Sequence, residues 1–267
     1  MNTPLSSLKS LVIDMDGVLW RGDTPLPGLN DLFDLLHTRQ MPYMLATNNA
    51  SKTQDQYVQK FAKFGVEISP DRVLTSSLAT AEYLKMQFAP GTRIHVLGQD
   101  GIRQAVGAAG FELADQDVAA VVVGLDFSLT YEKLRTAALR INEGARFIGT
   151  NGDVTFPFEG GMAPGNGAIL AALSAATGQK PITIGKPEPI VFELALNHLG
   201  ADPAHTAMLG DRLETDILGA SRANLKTILV LTGVSQQEDL AASDLKPDWV
   251  FSGIDALVEA MKIGSKQ

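Results

Sequence analysis

Short apolar runs alternate along the chain with longer stretches of helical spacing, and that rhythm restricts the fold more than any other feature. The runs are "SLVID" (10–14), "YMLAT" (43–47), "RIHVLG" (93–98), "AAVVVG" (119–124), "ARFIGT" (145–150), "ITIG" (182–185), "TAMLG" (206–210), "KTILVLT" (226–232) and "DWVF" (248–251). Several are apolar at consecutive positions. A strand wetted on one face alternates, whereas a strand covered on both faces does not. Between the runs, "LNDLFDLLHTR" (29–39) and "TYEKLRTAALRIN" (130–142) repeat apolar residues at helical spacing, with Thr130 placed to cap the second. "GAILAALSAATG" (167–178) and "PEPIVFELALNHLG" (187–200) stop at glycines, which suit the left-handed residue that ends a helix. Strand–helix alternation of this kind predicts an α/β chain with a doubly wound, Rossmann-like parallel sheet. At 267 residues, 45% of them hydrophobic, the chain can build one large domain or two modest ones.

In open parallel sheets, ligands gather beyond the carboxyl ends of the strands. Asp14, Asp16 and Gly17 follow the first run; Thr47, Asn48 and Asn49 end the second; Lys186 follows "ITIG"; Asp211 follows "TAMLG", with Asp216 five residues on in "GDRLETD". If these four strands are parallel neighbours, their polar ends converge on one edge. Carboxylates crowded there repel one another unless a cation lies among them, and oxygen-only ligands favour a hard ion, Mg²⁺ in the usual case. Asp14 and Asp211 can hold it, helped by the backbone carbonyl of Asp16. Lys186 and the metal can neutralise a phosphate, and Thr47 with the N–H groups after it can grip the phosphate oxygens. Asp14 can attack phosphorus. Asp16 can move the proton, a role that contributes roughly 10²–10⁴ in rate.

Plainer readings compete. Asp14 and Asp16 can be a strand-end turn, Thr47–Asn49 only a helix cap, and Lys186 and Asp216 ordinary exposed residues. A calcium loop starting at Asp14 fails, because Pro25 stands where its bidentate glutamate belongs. His37, His95, His198 and His205 show no metal-ligand spacing and read as structural or surface residues, and Trp20 and Trp249 as core or cap-contact residues. "GNGAIL" (165–170) lacks the third glycine of a dinucleotide fingerprint.

The net charge of −8 argues against nucleic-acid binding through the overall field. The absence of cysteine excludes disulfides and thiolate chemistry. Residues 1–10 show no signal segment, and no apolar stretch reaches the length of a membrane span. A cytoplasmic protein with no membrane or nucleic-acid partner is expected, with "GSKQ" (264–267) as a frayed tail.

These motifs, in this order, resemble the haloacid dehalogenase superfamily of aspartate-nucleophile phosphatases: Asp14-Met15-Asp16-Gly17, then Thr47, then Lys186 in "GKPEP", then "GDRLETD". "DMDGVLWRGDTPLPG", "TNNAS", "VVGLDFSLTYEKL" (122–134) and "PGNGAILAAL" (164–173) resemble its subfamily IIA, the 4-nitrophenylphosphatase-like and NagD-type proteins. The resemblance implies that Asp14 is nucleophile and metal ligand and that Asp16 is acid–base and carbonyl donor to Mg²⁺. Asp211 completes the metal ligands, Thr47, Asn48, Asn49 and Lys186 bind phosphate, and Asp216 orients the lysine or the metal shell. It also implies an inserted α/β cap, giving core (1–78), cap (79–181) and core again (182–267), and caps of this type can mediate homodimers. The expected function is Mg²⁺-dependent hydrolysis of a small phosphorylated metabolite through an aspartyl-phosphate. The alternatives are a phosphotransferase or mutase of the same superfamily, or a non-catalytic binder of a phosphorylated metabolite.

There are departures from the pattern. Ala50 stands where serine is common, with Ser51 next, and Asn151-Gly152-Asp153 replaces Asn-Pro-Asp. The loop "FPFEGGMAPGNG" (156–167) holds one charge, Glu159. These departures fall where substrate is chosen, so Asp126, Asn151, Asp153 and Asn166 are the candidates for specificity.

Overall fold

The structure is a computed structural model that describes residues 4–158 and 161–263, the side chains of residues 157 and 158 excepted. The expected tail 264–267 and Glu159 lie outside those residues. By its contacts the chain divides into two compact units. The first holds Met1–Thr47, Val58–Leu74 and Val191–Gln267; the second holds Asn48–Tyr57 and Thr75–Ile190.

The first unit is built on a six-stranded sheet in the order Trp249–Phe251, Lys226–Val230, Thr206–Gly210, Ser10–Ile13, Tyr43–Thr47, Val73–Thr75. From Trp249–Phe251 across to Tyr43–Thr47, every neighbouring pair is parallel. Leu11, Val12 and Ile13 are fully buried, as are Ala207, Met208 and Leu209 beside them, which is why these runs read as apolar without alternation. The helix Leu29–Thr38 buries Leu29, Leu32, Phe33 and Leu36, one face at helical spacing.

The second unit carries a five-stranded sheet in the order Ile182–Thr183, Arg146–Gly149, Ala120–Val123, Arg93–Leu97, Glu112–Leu113, parallel throughout. Val121 and Val123 pack with Ala137, Ile141, Leu170 and Leu173 of the helices Tyr131–Asn142 and Asn166–Thr177. Thr130 caps the first of these through its hydroxyl, which accepts from the N–H of Lys133 at 3.3 Å. Gly178 ends the second in the left-handed region, φ +68°, as its position predicts. A hairpin pairs Thr155–Phe158 with Gly161–Pro164.

One expectation needs correction. The strand at Ile182 is not a parallel neighbour of the strands ending at Asp14, Thr47 and Asp211. It pairs with Arg146–Gly149 in the other sheet, Ile182 opposite Ile148 and Thr183 opposite Gly149. Two paired residues carry too little pattern to say which sheet they extend, so the choice rests on long-range packing. Three of the four polar strand ends share a sheet, and Lys186 belongs to the second.

Candidate active site

Strand pairing places Asp14. Its N–H donates to the carbonyl of Leu209 at 2.8 Å, continuing the ladder one residue beyond Ile13 and holding the carboxylate at the strand's end. Asp14 is buried, as are Asp211 and Asp216. One carboxylate oxygen from each lies within 4.8 Å of the other two. Three buried carboxylates this close repel strongly in a poorly solvated site. An all-oxygen cluster of this kind suits a divalent hard cation, so the residues present fit Mg²⁺.

The loop after Thr206–Gly210 is held by its own acids. The Asp216 carboxylate accepts the N–H groups of Asp211 and Arg212 at 3.3 and 3.2 Å, from a single π-helical turn over Leu213–Ile217. Asp211 in turn accepts the N–H of Val234 at 2.6 Å, and the Ser235 hydroxyl accepts from Leu213 N–H at 3.0 Å. Sequence reasoning gave Asp216 a role toward the lysine or the metal shell. The geometry gives it the Asp211 loop and a place in the acidic cluster.

Glycines make room for this cluster. A Cβ on Gly17, which has φ +88°, would stand 2.5 Å from the Asp211 carboxylate, and one on Gly233 would overlap that carboxylate outright. Gly233→Ala is therefore expected to displace Asp211. It should cost about 1–3 kcal/mol of stability and, because one of the three clustered carboxylates is moved, lower the affinity of the cluster for a divalent cation about tenfold or more. Thermal unfolding and calorimetric Mg²⁺ titration check both effects.

Asp16 differs from its neighbours in being exposed. The indole Nε1 of Trp20 donates to its Oδ1 at 2.7 Å. Trp20 is itself fully buried, edge-on to Phe61 at 4.9 Å, so the donor comes from a rigid base. The core reading of Trp20 holds, but its contact with Asp16 was missed, as was the Gly233–Ser235 loop. That loop lies beyond the carboxyl end of the strand next to Thr206–Gly210, where the rule that found Asp211 also points.

In the second unit, Asn48 clasps the main chain of Lys186. Its Oδ1 accepts the Lys186 N–H at 2.8 Å, while its Nδ2 donates to the Lys186 carbonyl at 3.0 Å and to Asp153 at 3.1 Å. Its own carbonyl accepts from Asn151 Nδ2 at 2.7 Å and from the Ser76 hydroxyl at 2.6 Å. Asn166 Nδ2 ties the Asn151 carbonyl at 2.8 Å. A Cβ on Gly185 would meet Asn48 Oδ1 at 2.6 Å, so the glycine before Lys186 allows the approach. Asn48, Asn151, Asp153 and Asn166 thus form one network that fixes the backbone of Lys186, which is itself buried. Asn49 Oδ1 accepts from the N–H and hydroxyl of Ser51, shaping the loop after Thr47.

Asp126 also lies in this unit. Burial pushes its pKa up, but hydrogen bonds from Lys133 and Ser128, together with the Lys133 charge, outweigh burial and leave it below the ordinary carboxylate value. The folded pKa is below the unfolded one. The stabilisation is therefore present above the ordinary value of 3.8 and is lost as the pH falls through the lowered folded value. Asp126→Asn is expected to show a shallower loss of stability over that acid range, read from denaturation curves taken across it.

The chain is similar to known proteins along nearly its whole length. Residues 11–112 match the pattern of haloacid dehalogenase-like hydrolases, and residues 183–257 match the related HAD-hydrolase-like pattern. The chain belongs to the haloacid dehalogenase-like hydrolases. An acid sugar phosphatase of Staphylococcus aureus is 39% identical over 97% of this hydrolase and 100% of its own length. The crystal structure of a 4-nitrophenylphosphatase from Thermotoga maritima superposes with TM-score 0.92 at 35% identity, covering 96% of this chain and 98% of that one. NagD from E. coli K-12 gives TM-score 0.86 at 33% identity, covering 92% and 97%. Relatives of this kind place the hydrolase in the NagD-like subfamily IIA, whose Rossmann-like core carries a cap domain. Among the described residues, no helix is long and apolar enough to cross a membrane.

Proposed function

We propose that this phosphatase hydrolyses small phosphate monoesters with Mg²⁺ as its metal and with the phosphoryl group carried transiently on Asp14. The observation that carries the reading is the set of three buried carboxylates of Asp14, Asp211 and Asp216, with the exposed Asp16 two residues beyond Asp14. When bound to Asp14, Asp211 and the Asp16 carbonyl, Mg²⁺ supplies the positive charge that lets the acids lie together and offsets the charge of the phosphate.

Every other task falls to the chain. Asp14 attacks phosphorus, and the ester oxygen leaves with a proton from Asp16. Asp16, now a base, takes a proton from the water that cleaves the aspartyl-phosphate. Thr47 and the amides of Asn48 and Asn49 bind phosphate oxygens. Lys186 supplies a fixed positive charge, aimed by the Asn48 clasp. Asp216 keeps the Asp211 loop in place. Residues 79–181 act as the cap, which excludes water and selects the alcohol half of the substrate. The names of its relatives, acid sugar phosphatase and 4-nitrophenylphosphatase, support a sugar or aryl phosphate as that substrate. A reducing, cytoplasmic setting fits a chain with no cysteine.

Phosphate release from 4-nitrophenyl phosphate and glucose 6-phosphate tests this reading. Activity is expected with Mg²⁺, to fall roughly 100-fold or more with chelator and to return when Mg²⁺ is restored. Undiminished release in chelator would remove the metal from the account.

A further inference from the structure

The second unit has a cleft of its own, and nothing in the proposed chemistry uses it. Its sheet runs Ile182–Thr183, Arg146–Gly149, Ala120–Val123, Arg93–Leu97, Glu112–Leu113. From Arg93–Leu97 the chain moves outward to Glu112–Leu113, then returns to the other side at Ala120–Val123. The connections therefore diverge between Arg93–Leu97 and Ala120–Val123, and that switch point is where open α/β sheets bind ligands. A cavity of about 590 Å³ lies there, lined by Gly98–Asp100 after one strand, Asp126–Ser128 after the other, and Ser51 and Lys52. Its volume is in the range of small-molecule sites.

The charges of the cleft are specific. Lys52, Arg103 and Lys133 line it together with Asp100 and Asp126. Lys133 Nζ sits 2.7 Å from Asp126, so that pair cancels. Arg103 donates to the Val96 carbonyl at 3.1 Å, which anchors its guanidinium, and Lys52 lies 5.9 Å from the Tyr57 ring. Among the described residues neither cation has a carboxylate partner, and the cleft keeps a net positive charge. Lys186 leaves the same sheet edge. With strands about 4.8 Å apart, the end of Ile182–Thr183 lies two to three spacings from the cleft, on the order of 10 Å. Lys186 lies three residues beyond that strand end, on the same carboxyl edge of the sheet as the cleft.

We propose that this cleft receives a second anionic group, a phosphate or a carboxylate, on the alcohol half of the substrate, read by Lys52 and Arg103. The inference rests on the phosphatase reading and on the phosphate role of Lys186. It predicts that a sugar bisphosphate or a phosphorylated sugar acid is turned over in preference to a sugar monophosphate with a neutral far end.

The experiment compares kcat/KM for fructose 1,6-bisphosphate, 6-phosphogluconate and glucose 6-phosphate in the wild type, Lys52→Met and Arg103→Met. One of the first two substrates is expected to exceed glucose 6-phosphate by about tenfold or more in the wild type, and which one it is tells phosphate from carboxylate. Each variant should lower that ratio several-fold, mainly through KM. A wild-type ratio near one, or a ratio unmoved in both variants, overturns the cleft assignment while activity on 4-nitrophenyl phosphate leaves the phosphatase reading intact. If 4-nitrophenyl phosphate is not hydrolysed either, the phosphatase reading fails, and calorimetric titration with fructose 1,6-bisphosphate and 6-phosphogluconate decides the cleft. Binding of either weakened by Lys52→Met sustains it; no binding of either overturns it.

Discussion

Asp14→Asn is expected to lower kcat by roughly 10⁴-fold or more, the scale seen when a nucleophile is removed from a catalytic set that works as a unit. Asparagine keeps the size of the side chain and the N–H that bonds Leu209 at 2.8 Å. In the proposed mechanism it cannot form the covalent phosphoryl bond, and it offers a cation a weaker ligand. The same change takes one negative charge out of a cluster whose oxygens lie within 4.8 Å of one another. Without metal, repulsion among the three acids destabilises the fold, so the variant in chelator is expected to unfold at the same temperature as the wild type or higher. Rate and thermal unfolding measured together separate loss of chemistry from loss of structure. Residual activity within tenfold of wild type would mean that Asp14 is not the attacking group.

Asp16→Asn gives the second large effect, and its size depends on the ester. For a sugar phosphate the leaving alkoxide needs a proton, so the loss should reach roughly 10²–10⁴. Nitrophenolate departs without one, so the first step on 4-nitrophenyl phosphate is largely spared. In the proposed mechanism the second step still needs Asp16 as base. The variant is therefore expected to release nitrophenol in a burst equal to the enzyme concentration and then slow down. Stopped-flow absorbance shows this directly. Equal losses on both esters with no burst would assign Asp16 a positioning role. The Trp20 indole, 2.7 Å from Asp16, survives the change because asparagine retains an acceptor oxygen.

Much of this was legible in the sequence because burial on both faces leaves a mark. Each of the apolar runs contains a strand, and Ser10–Ile13 and Thr206–Gly210 are buried along their whole length. The acids that follow them stand out because charge at a buried strand end calls for a reason, and the cluster of Asp14, Asp211 and Asp216 supplies one. Short strands were not legible. Val73–Thr75 and Glu112–Leu113 are too brief to show a period, and the sheet joined by Ile182–Thr183 is set by which strand lies beside it. The Asn48 clasp was hidden for a different reason. An asparagine at a strand end suits a ligand, a helix cap or a backbone clasp equally well, and only the position of Lys186 decides among them. Trp20 and Gly233 were hidden likewise, since their roles are defined by where the fold puts the Asp16 and Asp211 carboxylates and not by any local pattern.

The central claim is that phosphate passes to Asp14 before it passes to water. Each transfer inverts configuration at phosphorus, so the full reaction should retain it. Hydrolysis of a phosphate ester made chiral with oxygen isotopes and sulfur, run in isotopic water, measures this in one experiment. Retention is the result predicted here. Inversion would show a single direct attack by water and would contradict the covalent role of Asp14.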